Sequence, residues 1–369
     1  MSLKKKLVAY LTETQKVKLK VLLNRFKLGF SKAFLWSPFA STLFYTLFSS
    51  AFRREQYAVL TGRLAYQQQL AKSQDSSILL RRNIHRLEKG LIMQPRRSVF
   101  AEDYITETVA EYAAVYQRIE LSELKWASAV LAEYFAVVAS RPLIDKAKMQ
   151  FLQLEPLAAA RLTKEDLPAS VPYSYAELPK QQLSYDALLQ LMQRRRSVRW
   201  FLPTPVPQHL IEQAISAASL APSACNRQPY YFVQLNNTQQ AAEVADFAMG
   251  TTGFSGNIPQ LLVVVGDLSA YPNERDRHVI YIDAALASMQ LMLALDTLGL
   301  ASCPINWPDI ESREQKMAIR LGLKPYQRPV MLIALGYADP AGGIAYSQKK
   351  PVSFLLKSAP ESVDVAKSD

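Results

Sequence analysis

Ala221-Pro222-Ser223-Ala224-Cys225-Asn226-Arg227-Gln228-Pro229-Tyr230-Tyr231-Phe232-Val233-Gln234-Leu235 decides how this chain is read. Pro, Ser and Asn crowd its first half, as a tight turn requires, and aromatic and β-branched residues over 231–235 predict a strand. Just upstream, Leu210, Ile211, Ala214, Ile215 and Ala218 recur at helical spacing and predict an amphipathic helix over 208–220. Working downstream, Leu261 to Val265, bounded by Pro259 and Gly266-Asp267, reads as a buried strand. A long helix follows over 279–298, apolar nearly all round, with Asp283, Gln290 and Thr297 as a thin polar stripe and Gly299 at its end. Ala301 to Trp307 reads as a short strand, Glu311 to Leu321 as an amphipathic helix and Pro329 to Tyr337 as another strand. Upstream of the opening stretch, a short helix over 185–195 leads into Arg194-Arg195-Arg196-Ser197-Val198-Arg199.

The rest of the chain has a different texture. Its 369 residues exceed one ordinary domain, and 49% apolar with 20% charged residues excludes collagen-like and wholly disordered classes. Residues 65–149 are rich in helix formers and lack alternating strands. Within them, Arg81-Arg82-Asn83-Ile84-His85-Arg86-Leu87-Glu88-Lys89-Gly90 reads as a dense charged helix that Gly90 is expected to end. Its face is either solvated or an interface closed by Arg–Glu pairs, the reading nearest to hand, or it binds an anion with His85 moving a proton. Pro168, Pro172 and Pro179 mark 163–182 as a linker or strap. The expected organisation is therefore an arm over 1–63, a helical region with linker over 64–182, and a separate domain over 183–369.

In that last region the motifs resemble the nitroreductase family of FMN-dependent oxidoreductases. Arg195-Arg196-Ser197-Val198-Arg199, Pro222-Ser223-x-x-Asn226-x-Gln228-Pro229, Leu298-Gly299-Leu300, Cys303-Pro304-Ile305, Leu335-Gly336-Tyr337 and a late basic pair, Lys349-Lys350, occur in the family's order across about 185–357. The resemblance implies an α+β fold, a mostly antiparallel sheet flanked by helices, preceded here by a mainly helical region. It implies a homodimer holding FMN, with NADH or NADPH as donor, passing electrons by a ping-pong route to an unidentified small organic acceptor. Arg195, Arg196, Ser197 and Arg199 would then bind phosphate and ribityl oxygens, with Lys349 and Lys350 closing on the phosphate; planar guanidinium forks suit a phosphomonoester. Pro222, Ser223, Ala224 and Asn226 would reach the flavin of the partner subunit, Gln228 would lie near the ring, and Asp283 close to the cofactor. Read alone, Asp283 could equally be a helix-start acid stabilised by the dipole. The turn Pro304-Ile305-Asn306 would donate from its backbone to the ring. Some relatives carry Glu-Gly where this chain has Asn306-Trp307, so Trp307 either narrows the pocket or packs in the core. The flavin does the hard step in such enzymes, so no side chain is named catalytic. Cys225 and Cys303 read as small buried residues, a redox role being the less favoured alternative.

Charge sets the arm apart. Residues 1–63 hold 12 Lys/Arg and 2 Glu, a net of +10, whereas the remainder is almost balanced. Residues 4–27 predict a basic amphipathic helix, and 30–52 form a 23-residue apolar stretch with one charge but seven Ser/Thr and Pro38. Three readings stand for that stretch: an aromatic-rich helix in the headgroup layer of a membrane, which fits best, a true span, or a helix packed on protein. A membrane surface touched through residues 1–55 is thus an expected partner. Nucleic acid is not, because no reading motif accompanies the charge. Two cysteines point to a reducing, cytoplasmic setting, to which the arm adds an expected membrane association, and three scattered histidines argue against a metal site. Two other functions remain open: a flavin-dependent tailoring oxidase or dehydrogenase of a cell-envelope or natural-product intermediate, and a membrane-docked flavin- or partner-binding protein with little turnover.

Overall fold

The computed structural model describes residues 12–70, 77–162 and 170–359; the early part of the basic arm and part of the linker fall outside them. The chain enters a helix, α1 (Glu13–Lys32), through a capping box in which Thr12 and Gln15 satisfy each other's backbone N–H groups. The apolar stretch that follows is two pieces and not one helix. Ser37, extended at φ −156°, caps the Ala40 N–H at 3.1 Å, and Pro38 opens α2 (Pro38–Leu47). A proline is well placed at the first helical position but biases its predecessor away from helix, so the chain must turn. The ten residues of α2 are too short to cross a bilayer, so 30–52 do not form the one continuous helix that a single span requires. Instead α1 and α2 form a hairpin held by Phe30, Phe34, Phe44 and Phe48, with ring centroids 5.1 to 6.1 Å apart.

Next, α3 (Arg53–Leu70) lies on the C-terminal region. A Cβ at Gly62 would come within 2.8 Å of the Leu268 Cβ, so this contact needs a residue without one. Arg54 forks onto Glu311 at 2.7 and 2.5 Å. Four helices, α4 (Ile78–Leu91), α5 (Ile105–Val115), α6 (Leu121–Val137) and α7 (Pro142–Leu162), enclose their own core of Leu80, Ile84, Leu87, Tyr112, Leu131 and Tyr134. Gly90 does not end α4 but lies inside it: a Cβ there would stand 2.4 Å from the Phe100 ring, so glycine is present for close approach.

The C-terminal region is a three-layer α+β unit. After α8 (Tyr185–Arg194) and α9 (Gln208–Ala218) come β1 (Tyr230–Leu235), α10 (Thr238–Ala245), β2 (Gln260–Asp267), α11 (Val279–Thr297), β3 (Ala301–Asn306), α12 (Glu311–Leu321), β4 (Gln327–Gly336) and a last turn, α13 (Val352–Leu355). The strands pair antiparallel in the order β1-β2-β4-β3. Period-2 alternation sorts their side chains: Leu261, Val263, Val265, Leu332 and Ala334 face α10 and α12, while Leu262, Val264, Ile333 and Leu335 face α9 and α11. Both faces of β2 are covered, and this explains its unbroken apolar run. Although α11 is long and apolar enough to cross a membrane, it packs on the sheet through Ala284, Ala287, Leu291 and Leu295. Gly299, at φ +78°, ends it, and Leu300 donates back to the Leu295 carbonyl at 2.9 Å.

Candidate functional site

Two sets of residues singled out in the sequence come together, each at its own corner of the sheet. The first is basic. Past α8 the chain runs along the free edge of β3, where Val198 N–H donates to the Ser302 carbonyl at 3.0 Å and residue 197 bridges 302. This pins Arg195, Arg196, Ser197 and Arg199 around a pocket of about 270 Å³, whose wall is completed by Met192, Gln193, Ala345, Ser347 and Lys349. No carboxylate lines it. Arg195 Nε is buried without a hydrogen-bond partner, and such a donor costs free energy unless an acceptor arrives. Arg196 donates instead to the carbonyls of Ala345 and Tyr346, tethering the segment that carries Lys349. Lys350 does not line the pocket, and Arg194 pairs outside it with Asp296 at 2.9 Å.

The second set is the turn before β1. Cys225, Asn226 and Gln228 sit at φ 53°, 52° and 50°, a left-handed region that non-glycine residues occupy at a cost. Side chains from three directions hold them there. Ser223 Oγ accepts the Gln228 N–H at 2.8 Å, and Asp283, buried on α11, accepts the Ala224 N–H at 2.9 Å. Burial pushes the Asp283 carboxyl up, an effect that the Ala224 N–H and the charge of Arg227 partly offset. From the helical region, Arg81 donates to the Asn226 carbonyl and to Gln228 Oε1, both at 3.1 Å, while bonded to Glu123 at 2.9 Å. The charged face of α4 is therefore an internal clamp. Its His85 pairs with Glu88, whose other oxygen accepts from Trp126 at 2.8 Å. Arg227, to which the sequence reading gave no role, is buried and lies over the Tyr271 ring.

Pro304, Ile305 and Asn306 form the end of edge strand β3 and not a turn; proline is tolerated there because an edge leaves one backbone side unpaired. Trp307 belongs to the core between β3 and α12, where its Nε1 donates to Glu314 at 2.7 Å, so it does not narrow a pocket. Cys303 is buried and its thiol is pushed up by that burial, as expected of an inert structural cysteine.

The register fixes where these sets lie. Tyr230 is level with Gly266 and Arg328, and Ser302 is level with Leu335, seven residues along β4. The strained turn and the basic pocket thus occupy diagonally opposite corners of a four-stranded sheet, roughly 25 Å apart from strand spacing and rise.

A model described as the nitroreductase family matches residues 192–255 and 251–337. An Archaeoglobus fulgidus protein provisionally named NADH dehydrogenase/NAD(P)H nitroreductase is 30% identical over 155 residues, 40% of this chain and 84% of that one. This chain belongs to the nitroreductase family. A second relative, iodotyrosine deiodinase of Haliscomenobacter hydrossis, is 28% identical over 219 residues, 51% of this chain and 97% of its own. Among solved structures, an FMN-dependent nitroreductase of Clostridium difficile R20291 has 21% identity and a TM-score of 0.38, covering 43% of this chain and 92% of that one. The nitroreductase model begins at residue 192, so the arm and the Arg81 clamp lie upstream of the family's matched region.

Proposed function

We propose that this nitroreductase-family oxidoreductase is a homodimer that binds FMN and passes electrons from NADH or NADPH to a small conjugated organic acceptor. One observation carries the reading: three arginines and Lys349 surround an acid-free pocket in which the Arg195 Nε–H has no acceptor. That donor set fits a phosphomonoester, which offers several anionic oxygens to forked guanidinium donors. When bound, FMN supplies the hydride and electron chemistry. The chain's own residues do the rest. Arg195, Arg199 and Ser197 would hold the phosphate end, and Arg196 would keep residues 345–349 in place. Asn306, at the exposed end of β3, would present backbone to the ring, and the 222–228 turn would cover it from the partner protomer. The dimer is supported by distance, since one mononucleotide does not extend between corners roughly 25 Å apart.

Purified protein should carry a flavin spectrum that bleaches anaerobically with NADH or NADPH. Replacing Arg195 and Arg199 together with Met should weaken FMN binding by about a hundredfold or more, two charge-assisted bonds being lost. Unchanged flavin content in that variant overturns the reading. A tailoring role on a lipid-linked intermediate is favoured by one further feature, the exposed aromatic end of the α1–α2 hairpin. A scaffold with little turnover loses its motive once Trp307 is found in the core.

A further inference from the structure

Folding leaves the α1–α2 hairpin with its apolar surface outward. Phe30, Phe34, Phe44 and Phe48 bind the two helices to one another, yet the bend between them presents Leu35 at 72%, Trp36 at 77% and Phe39 at 73% exposure. Along α1, Lys18, Arg25 and Lys32 are exposed and recur every seven residues, so they share one stripe. At 100° per residue, exposed Leu22 and Phe26 flank that stripe on one side and exposed Val21 and Leu28 on the other. Phe30 points away from it, toward α2. Apolar flanks with cations between them suit the boundary of an anionic bilayer, where long basic side chains reach headgroups while their neighbours enter the acyl layer. A protein partner would need an acidic and apolar groove of matching length. The body of this chain, nearly neutral outside residues 1–63, offers a second copy no net acidic charge to attract that stripe.

We infer that the α1–α2 hairpin is a membrane-docking device: α1 lies along an anionic lipid surface and the Leu35-Trp36-Phe39 bend inserts at its end. The docking holds the C-terminal unit at the surface without a span, because the bend at Ser37-Pro38 keeps both helices on one side. It is independent of the flavin reading, since none of these residues lines the basic pocket.

The test is flotation of the full chain with vesicles of phosphatidylcholine alone and of phosphatidylcholine mixed with phosphatidylglycerol, at low and high salt. The intact protein should float with the anionic vesicles only, and less at high salt. Leu35→Ser, Trp36→Ser and Phe39→Ser together should cut partitioning at least about tenfold, as should Lys18→Glu, Arg25→Glu and Lys32→Glu together. Far-UV circular dichroism and flavin content should stay unchanged in both. Trp36→Phe should keep flotation but lose a blue shift of tryptophan emission on binding. The inference is overturned if intact protein floats with neither vesicle or equally with both. It is also overturned if either triple variant floats like the parent, or if the variants change oligomeric mass and not flotation, which would assign the surface to another protein molecule.

Discussion

Arg81 shows what a single residue contributes and why sequence alone left it unassigned. The spacing of Leu80, Ile84, Leu87 and Leu91 marks the buried face of α4 and leaves Arg81 at its border. Its partners, Asn226 and Gln228, lie 145 and 147 residues away, a relation no local pattern encodes. Arg81→Met would take the guanidinium partner from Glu123, which is almost wholly buried and would keep the Ser77 N–H. It would also release a turn held in the left-handed region, so it should destabilise the chain by about 3 kcal/mol in urea unfolding. Arg81→Lys, with a point charge in place of the fork, should lose about half of that. Equal stability of all three forms would show that the clamp is a surface contact. Gly90 makes a steric counterpart. Gly90→Ala forces a methyl into the Phe100 ring and should cost about 1–3 kcal/mol by thermal melt, whereas a helix-ending glycine in solvent would tolerate the change.

At the level of elements, the four strands and the helices α8, α9, α11 and α12 were legible to within about two residues, because period 2 and period 3.6 signals there are enforced by two covered sheet faces, whereas α10 and α13 were not read. The basic pocket was legible too, since four of its residues are contiguous with the edge bridge at 197. What failed were the stretches where tertiary packing decides: the hairpin bend, the turn that the resemblance implied at 304–306 within a stretch also read as strand, and Gly90. The junction of α3 with α12 belongs to the same class and can be tested by pH. The Arg54 hydrogen bond holds the Glu311 carboxyl below its ordinary value. A group depressed by folding stabilises above its unfolded pKa of about 4.3, and that contribution is lost as pH falls through the folded value. Glu311 is half exposed, so the effect should stay below about 1 kcal/mol. Urea midpoints of parent and Glu311→Gln should differ at pH 6 and converge near about pH 3. A gap that persists unchanged in acid would mean that the ion pair contributes nothing.

For the whole molecule, the decisive question is what covers α11. Its inner face is filled by the sheet, yet Ile282, Leu286 and Met289 are exposed at helical spacing on the outer one. The strained turn between α9 and β1 is held by Asp283 of this same helix, so in the proposed dimer a partner seated on this face would lie beside that turn. In the proposed dimer, two corners too distant to serve one ligand within a protomer would become one site across a two-fold axis, because an isologous contact would present each corner to the other's complement. Leu286→Glu would bury a carboxylate in that contact, a penalty of several kcal/mol without a partner. It should convert dimer to monomer by light scattering and release flavin in the same step, while far-UV circular dichroism stays constant. A monomer that keeps its flavin would separate the two corners, and an unaltered dimer would move the interface elsewhere. Joint loss is expected because, in the proposed dimer, the phosphate grip on one protomer and the covering turn on the other would each be only half of what holds the ring.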